Sequence, residues 1–151
     1  MDTAYDHDFY LWTQEQAALL EGRHFDALDI ANLVEEITSL GASDRRALIS
    51  QLIRLVMHLL KWQYQPHEQS TSWRGSIHDA RLQMELILAD SPSLRRLVPD
   101  LLGRYYAHAR RQAQTETGLP LATFPETCPW TLDEQILDPD FFPTESDDES
   151  A

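Results

Sequence analysis

Apolar residues recur along this chain every three or four positions, the period of a helix with one buried side. The first such stretch sets Phe9, Trp12, Gln16, Leu19 and Leu20 on one face, with Asp6 placed to cap it and Gly22 to end it. A second begins near Asp26 or Asp29. Its stripe is Ile30, Leu33, Val34, Ile37 and Leu40, and Gly41 stands where a helix commonly stops. Ser43 then reads as the cap of a third helix, with Asp44 in a first turn that suits the helix dipole.

The third helix, over residues 44–64, is the expected centre of the fold. Leu48, Leu52, Leu55, Leu59 and Trp62 form one stripe, and Ile49, Ile53, Val56 and Leu60 an adjacent one. Two stripes imply burial over about half the circumference, as for a helix with several neighbours. Pro66 disfavours helix at Gln65, so the helix should stop there. Ser70, Thr71 or Ser72 caps a fourth helix with a core face of Trp73, Ile77, Ala80, Met84, Ile87 and Leu88. Ser91-Pro92 reads as the start of a fifth. Pro99 either kinks that helix or restarts it, and Gly118 ends it.

From Leu119 the pattern changes. Pro120, Pro125, Pro129, Pro139 and Pro143 forbid long regular structure, and Thr131 could cap one short helix over residues 132–137. Phe124, Trp130, Ile136, Leu137, Phe141 and Phe142 are costly to leave in water, so this arm should dock on the helices. The expected organisation is an all-α single-domain bundle of about five helices over residues 1–143, in which 119–143 form a packed Pro-rich arm. Residues 144–151 make an acidic tail with no apolar anchor, expected to be disordered.

Composition adds limits. The chain has 151 residues, enough for a core without covalent staples, and one cysteine, Cys128, so no internal disulfide. The start, Met1 to Asp6, lacks the basic and apolar regions of a signal peptide. The densest apolar stretch, 52–60, is interrupted by Arg54 and His58 and is too short to span a bilayer. A cytoplasmic, membrane-free protein is expected. The net charge of -13 is unevenly spread. Residues 1–43 carry nine acidic side chains and one basic, residues 44–111 six and eleven, and residues 112–151 ten and none. The acidic arms either fold back over the basic middle or leave it to bind an anion or RNA. The negative field of the whole molecule favours the first and disfavours nucleic acid.

Motifs that carry chemistry are absent. There is no Gly-rich phosphate loop, no zinc-spaced Cys or His pair, and no two Glu-x-x-His pairs of the helical di-iron kind. No cofactor or metal is expected, and Cys128 reads as a structural thiol. One polar constellation stands out. Glu36 lies at the margin of the second helix's apolar face, and His58, with Lys61 nearby, at that of the third. Arg81 lies at a similar margin on the fourth. If the second and third helices pack antiparallel, Glu36 and His58 face a common cleft, and with Lys61 and Arg81 would make a metal site, an acid–base pair, an anion pocket or a satisfied structural network. Arg95, Arg96, Arg104, Arg110 and Arg111 are the candidates for RNA binding.

Several longer strings bear a resemblance. They are Tyr5-Asp6-x-Asp8-Phe9-Tyr10-x-Trp12, Asn32-Leu33-x-Glu35-Glu36-Ile37, Ser39-Leu40-Gly41 and His58 through Pro66 (HLLKWQYQP). Ser72-Trp73, Ser91-Pro92-Ser93-Leu94-Arg95, Glu116-Thr117-Gly118-Leu119-Pro120, Phe124-Pro125 and Cys128-Pro129-Trp130-Thr131 extend them. On these residues the chain resembles the bacterial family known as domain of unknown function 29, over nearly everything but the acidic tail. The resemblance implies a helical fold and transfers no catalytic residue. The expected function is a non-enzymatic module that binds a protein partner or another copy of itself. A small enzyme or metal-binding protein built on Glu36 and His58 is the alternative, and RNA binding a third.

Overall fold

In the computed structural model, which describes residues 4–144, the helical periodicity becomes five α-helices: α1 (Ala4–His7), α2 (Phe9–Glu21), α3 (Ile30–Tyr64), α4 (Thr71–Asp90) and α5 (Val98–Thr117). Four of these are longer than one turn or two, and no strand occurs among the described residues, so the chain is all-α as its pattern predicts. Most of the expected tail, residues 145–151, lies outside the described residues. The chain divides into two compact units, Met1–Ser43 and Asp44–Ala151, with α3 carrying the chain from one into the other.

In the N-terminal unit, Asp8 rather than Asp6 caps α2, its carboxylate accepting from the Leu11 amide at 3.0 Å. Glycine stands at the end of this helix, position 22, for a steric reason. A Cβ there would meet the His24 ring at 2.7 Å, while the left-handed turn itself is made by Arg23 at φ 57°. Asp29 opens α3. Its carboxylate accepts from the Asn32 side chain at 2.8 Å and from the Trp12 indole N–H at 3.0 Å, and its own amide donates to the Gln16 side chain at 2.8 Å. Tyr5, Phe9 and Trp12 form a ring cluster with centroids 4.9–5.8 Å apart. Only Trp12 and Gln16 of α2 are buried.

The second and third expected helices are one. Gly41 and Ser43, read as a stop and a start, sit inside α3 with the ladder intact. A glycine within a helix costs roughly 1 kcal/mol relative to alanine, and no proline is present to remove a donor. Breaking the helix would forfeit several backbone hydrogen bonds, so continuation wins. The antiparallel pairing of two helices about Gly41 therefore does not form.

In the C-terminal unit the second half of α3 buries Leu48, Leu52, Leu55, Leu59 and Leu60 against Ile77, Ala80 and Met84 of α4 and Val98, Leu101, Ala109 and Ala113 of α5. The helix stops at Tyr64, one residue before the position next to Pro66, as expected. Ser70 is the cap of α4, accepting from the Trp73 amide at 3.2 Å. Residues 92–97 form a 3-10 segment, and Pro99 falls in the first turn of α5, where its missing N–H costs nothing. It thus begins a helix and kinks none. Gly118 takes the left-handed conformation at φ 72°, its amide closing on the Gln114 carbonyl.

The arm lies on this unit. Phe124, Trp130 and Ile136 enter its core, with Leu137, Phe141 and Phe142 packed alongside. The Tyr106 hydroxyl donates to the Pro125 carbonyl at 2.6 Å and Arg110 to that of Phe124 at 3.1 Å. The short helix expected after Thr131 is a single π-type turn over Leu132–Ile136. Thr131 does not cap it. The Gln135 side chain instead reaches back to the Thr131 amide at 2.7 Å.

Candidate functional site

The four polar residues singled out in the sequence go to three different places. Glu36 lies on the N-terminal half of α3, where its carboxylate accepts from the Tyr5 hydroxyl at 2.7 Å. That bond is the chief cause that pushes the Tyr5 pKa up to about 12. His58 is on the same helix, about six turns further along, so the two do not face each other from neighbouring helices.

His58 and Lys61 are one turn apart on α3. His58 Nδ1 lies 2.8 Å from the Arg54 carbonyl, which holds a proton on Nδ1 and leaves Nε2 as the acceptor. Burial lowers the imidazole pKa, with the positive charges of Lys61 and Arg54 acting the same way, and the Arg54 carbonyl bond and the charge of Glu116 opposing. Lys61 is itself buried. Its ammonium is 3.6 Å from Glu116 Oε1 on α5 and 4.5 Å from the centre of the Trp73 ring on α4. Lys61 thus ties three helices together by an ion pair and a cation–π contact. The aromatic run Trp62 to Tyr64 is likewise structural, with Trp62 against Phe142 at 4.9 Å and Tyr64 against Phe124 at 5.5 Å.

Arg81 fastens the arm. Its Nε donates to the Ile136 carbonyl at 2.8 Å and its Nη2 to that of Phe141 at 2.7 Å, with longer bonds to Gln135 and Pro139 at 3.4 Å. A buried guanidinium costs several kcal/mol unless its donors are satisfied. Burial accordingly depresses its pKa, and the nearby charges of Asp138 and Asp140 offset part of that. No local pattern signals this role, because Arg81 bonds backbone carbonyls 54 to 60 residues away.

The remaining reactive groups are similarly occupied. The Cys128 thiol is half-buried with its pKa raised by that burial, and it donates weakly to the Trp130 carbonyl at 3.6 Å. A raised pKa disfavours the thiolate a nucleophile needs. Of the candidate RNA-binding arginines, Arg95 pairs with Asp133 at 2.8 Å and Arg110 bonds the arm. Among the described residues no three His, Cys, Asp or Glu side chains are grouped to hold a metal ion. A cleft of about 550 Å³ is lined by Arg81, Glu85, Pro92, Arg95, Asp133 and Pro139, among which Arg95 and Asp133 pair with each other.

The feature that sequence reasoning misplaced is apolar. Of the expected stripe Ile30, Leu33, Val34, Ile37 and Leu40, Leu33 is half-buried, while Ile30, Val34, Ile37 and Leu40 are 58%, 58%, 66% and 70% exposed. These four stand at i, i+4, i+7 and i+10 and so form one stripe along α3. Within its unit α3 is held along a different edge, where Asp29, Asn32 and Glu36 bond α1 and α2 residues and each other. Phe9, Tyr10, Leu11, Leu20 and Phe25 of the same unit are also exposed. In the C-terminal unit the large exposed apolar side chains are Leu82 and Leu86.

The geometry therefore defines an all-α protein whose singled-out polar groups are bound up in its own structure, and whose free feature is a bare apolar stripe on an acidic helical unit. The chain belongs to the family described as domain of unknown function DUF29, whose model matches residues 4–142. No curated protein and no solved structure matches it. Among the described residues no helix is long and apolar enough to cross a membrane.

Proposed function

We propose that this chain is a non-enzymatic interaction module that docks a protein partner on the stripe Ile30–Val34–Ile37–Leu40. One observation carries the reading: four large aliphatic side chains in helical register, each more than half exposed. Scattered exposed apolar residues need no explanation, but a contiguous apolar surface marks an interaction site. The cytoplasm, where a lone free thiol stays reduced, is the compartment we assign.

The test is a photo-crosslinking residue placed at Val34, compared with one at Leu86 of the C-terminal unit, in the full chain inside its own host. A discrete protein adduct is expected from position 34 only, and it should vanish when Ile37→Asp is added. Equal labelling from both positions, or adducts made only of two copies of this chain, would sink the proposal.

A further inference from the structure

We infer that the occupant of this stripe is a basic amphipathic α-helix of a partner protein. The inference rests on the docking role proposed above and deepens it by naming the partner's chemistry.

The stripe's shape calls for a helix. Ile30 to Leu40 spans eleven residues, about 15 Å or three turns, and a row at i, i+4, i+7 and i+10 is a ridge that packs against the apolar row of another helix. The backbone of α3 is saturated by its own ladder, and no strand edge exists among the described residues, so there is no row of free amides for an extended peptide to pair with.

Charge decides which helix. Residues 1–43 carry nine acidic side chains against one basic, Arg23. Glu35 is exposed on the helix that bears the stripe, and Asp8, Glu15, Glu21 and Asp26 are exposed elsewhere in the unit. Within roughly 8–10 Å at physiological salt this field attracts a cationic segment and repels anionic ones. A second copy carries the same excess of acids in residues 1–43, so self-association through this unit sets like charge against like. An anionic lipid surface or a nucleic acid is disfavoured for the same reason. Lys and Arg on the flanks of an apolar helix meet both requirements at once.

The probe is a labelled Leu/Lys amphipathic peptide of about 18 residues, five turns, titrated against the full chain at low and high salt. A Leu/Glu peptide of the same pattern and a Ser/Lys peptide serve as comparisons. The Leu/Lys peptide should bind best, weakening about tenfold as salt rises through the range that screens surface charge. Val34→Ser with Ile37→Ser leaves the charge unchanged and should weaken it about tenfold or more, from lost apolar burial alone. Equal, salt-insensitive binding of the Leu/Glu peptide would overturn the basic partner and leave the docking face standing. Undiminished Leu/Lys binding by the double serine variant would show charge attraction without the stripe and overturn the inference. Sedimentation showing a wild-type dimer that the double variant converts to monomer would overturn it in favour of a second copy.

Discussion

Residues 30–40 and 48–59 are amphipathic stretches of one helix, yet Ile30, Val34, Ile37 and Leu40 stand 58–70% exposed while Leu48, Leu52, Leu55 and Leu59 are at most 1% exposed. The second stripe beside residues 48–59 marks that stretch as the more deeply packed, but nothing in the spacing of residues 30–40 foretells that their face is left bare. The C-terminal half is covered because α4, α5 and the arm converge on it, and because Arg81 and Lys61 secure the arm and the helices over it. In the N-terminal unit α1 and α2 hold α3 largely through polar bonds, Tyr5 to Glu36, Trp12 to Asp29 and Gln16 to the Asp29 amide, along an edge that leaves the stripe bare. A periodic stripe states that a helix has an apolar face. What covers that face is written in other segments, or in another molecule.

The largest test of the contrast is a matched truncation. Leu55→Ala removes a fully buried side chain and should destabilise the chain by about 2–5 kcal/mol, the transfer and cavity cost together. Leu40→Ala removes the same atoms from a side chain 70% exposed and should change stability by no more than about 0.5 kcal/mol. Denaturant unfolding of both variants beside wild type measures the pair. A Leu40→Ala loss approaching that of Leu55→Ala would mean that the N-terminal stripe is covered by the chain itself, and the docking reading would fall with it.

The two halves also differ in how readable they were. For residues 48–62 the double stripe named the central core helix, and Pro66 and Gly118 marked helix ends, because a missing N–H and a left-handed φ are local demands that local sequence answers. All-α character followed from periodicity alone. The join at residues 41–44 was misread because each terminal signal there is weak: a glycine is tolerated within a helix, and a serine caps only if the chain has already turned. The polar cluster failed for a related reason. Helical periodicity sets Glu36, His58, Lys61 and Arg81 beside apolar stripes, but which helix sides meet depends on helix pairing. With α3 continuous, Glu36 went to Tyr5, Lys61 to Glu116 and Trp73, and Arg81 to arm carbonyls.

A smaller effect probes the join between the halves. Gly41 is inside α3 at a negative φ, and a Cβ there would meet nothing within 4 Å. Gly41→Ala should therefore stabilise the helix by about 0.5–1 kcal/mol, through lower entropy of the unfolded chain. Hydrogen exchange of the amides around residues 41–45 should slow in the variant. Had Gly41 ended a helix in a left-handed turn, the same change would destabilise and exchange would quicken, which is the result that would restore the two-helix reading.

The smallest effect lies in pH dependence and belongs to the buried half. Burial lowers the folded-state pKa of His58 below its ordinary 6.5, so the unfolded chain binds its proton first as pH falls. The stability this neutral imidazole contributes is complete above the unfolded-state pKa and is lost as pH falls from there through the folded-state value. His58→Gln keeps a hydrogen-bonding side chain without a titrating group. Its stability should consequently fall less than that of wild type as pH drops from 7 through the histidine range, while the two curves run parallel above it. Parallel curves throughout would mean that His58 is solvated in the folded chain as it is in the unfolded one. The bond of Nδ1 to the Arg54 carbonyl would then be too weak to hold the ring in the helix seam, and the C-terminal half of α3 would be looser at this margin than its leucines imply.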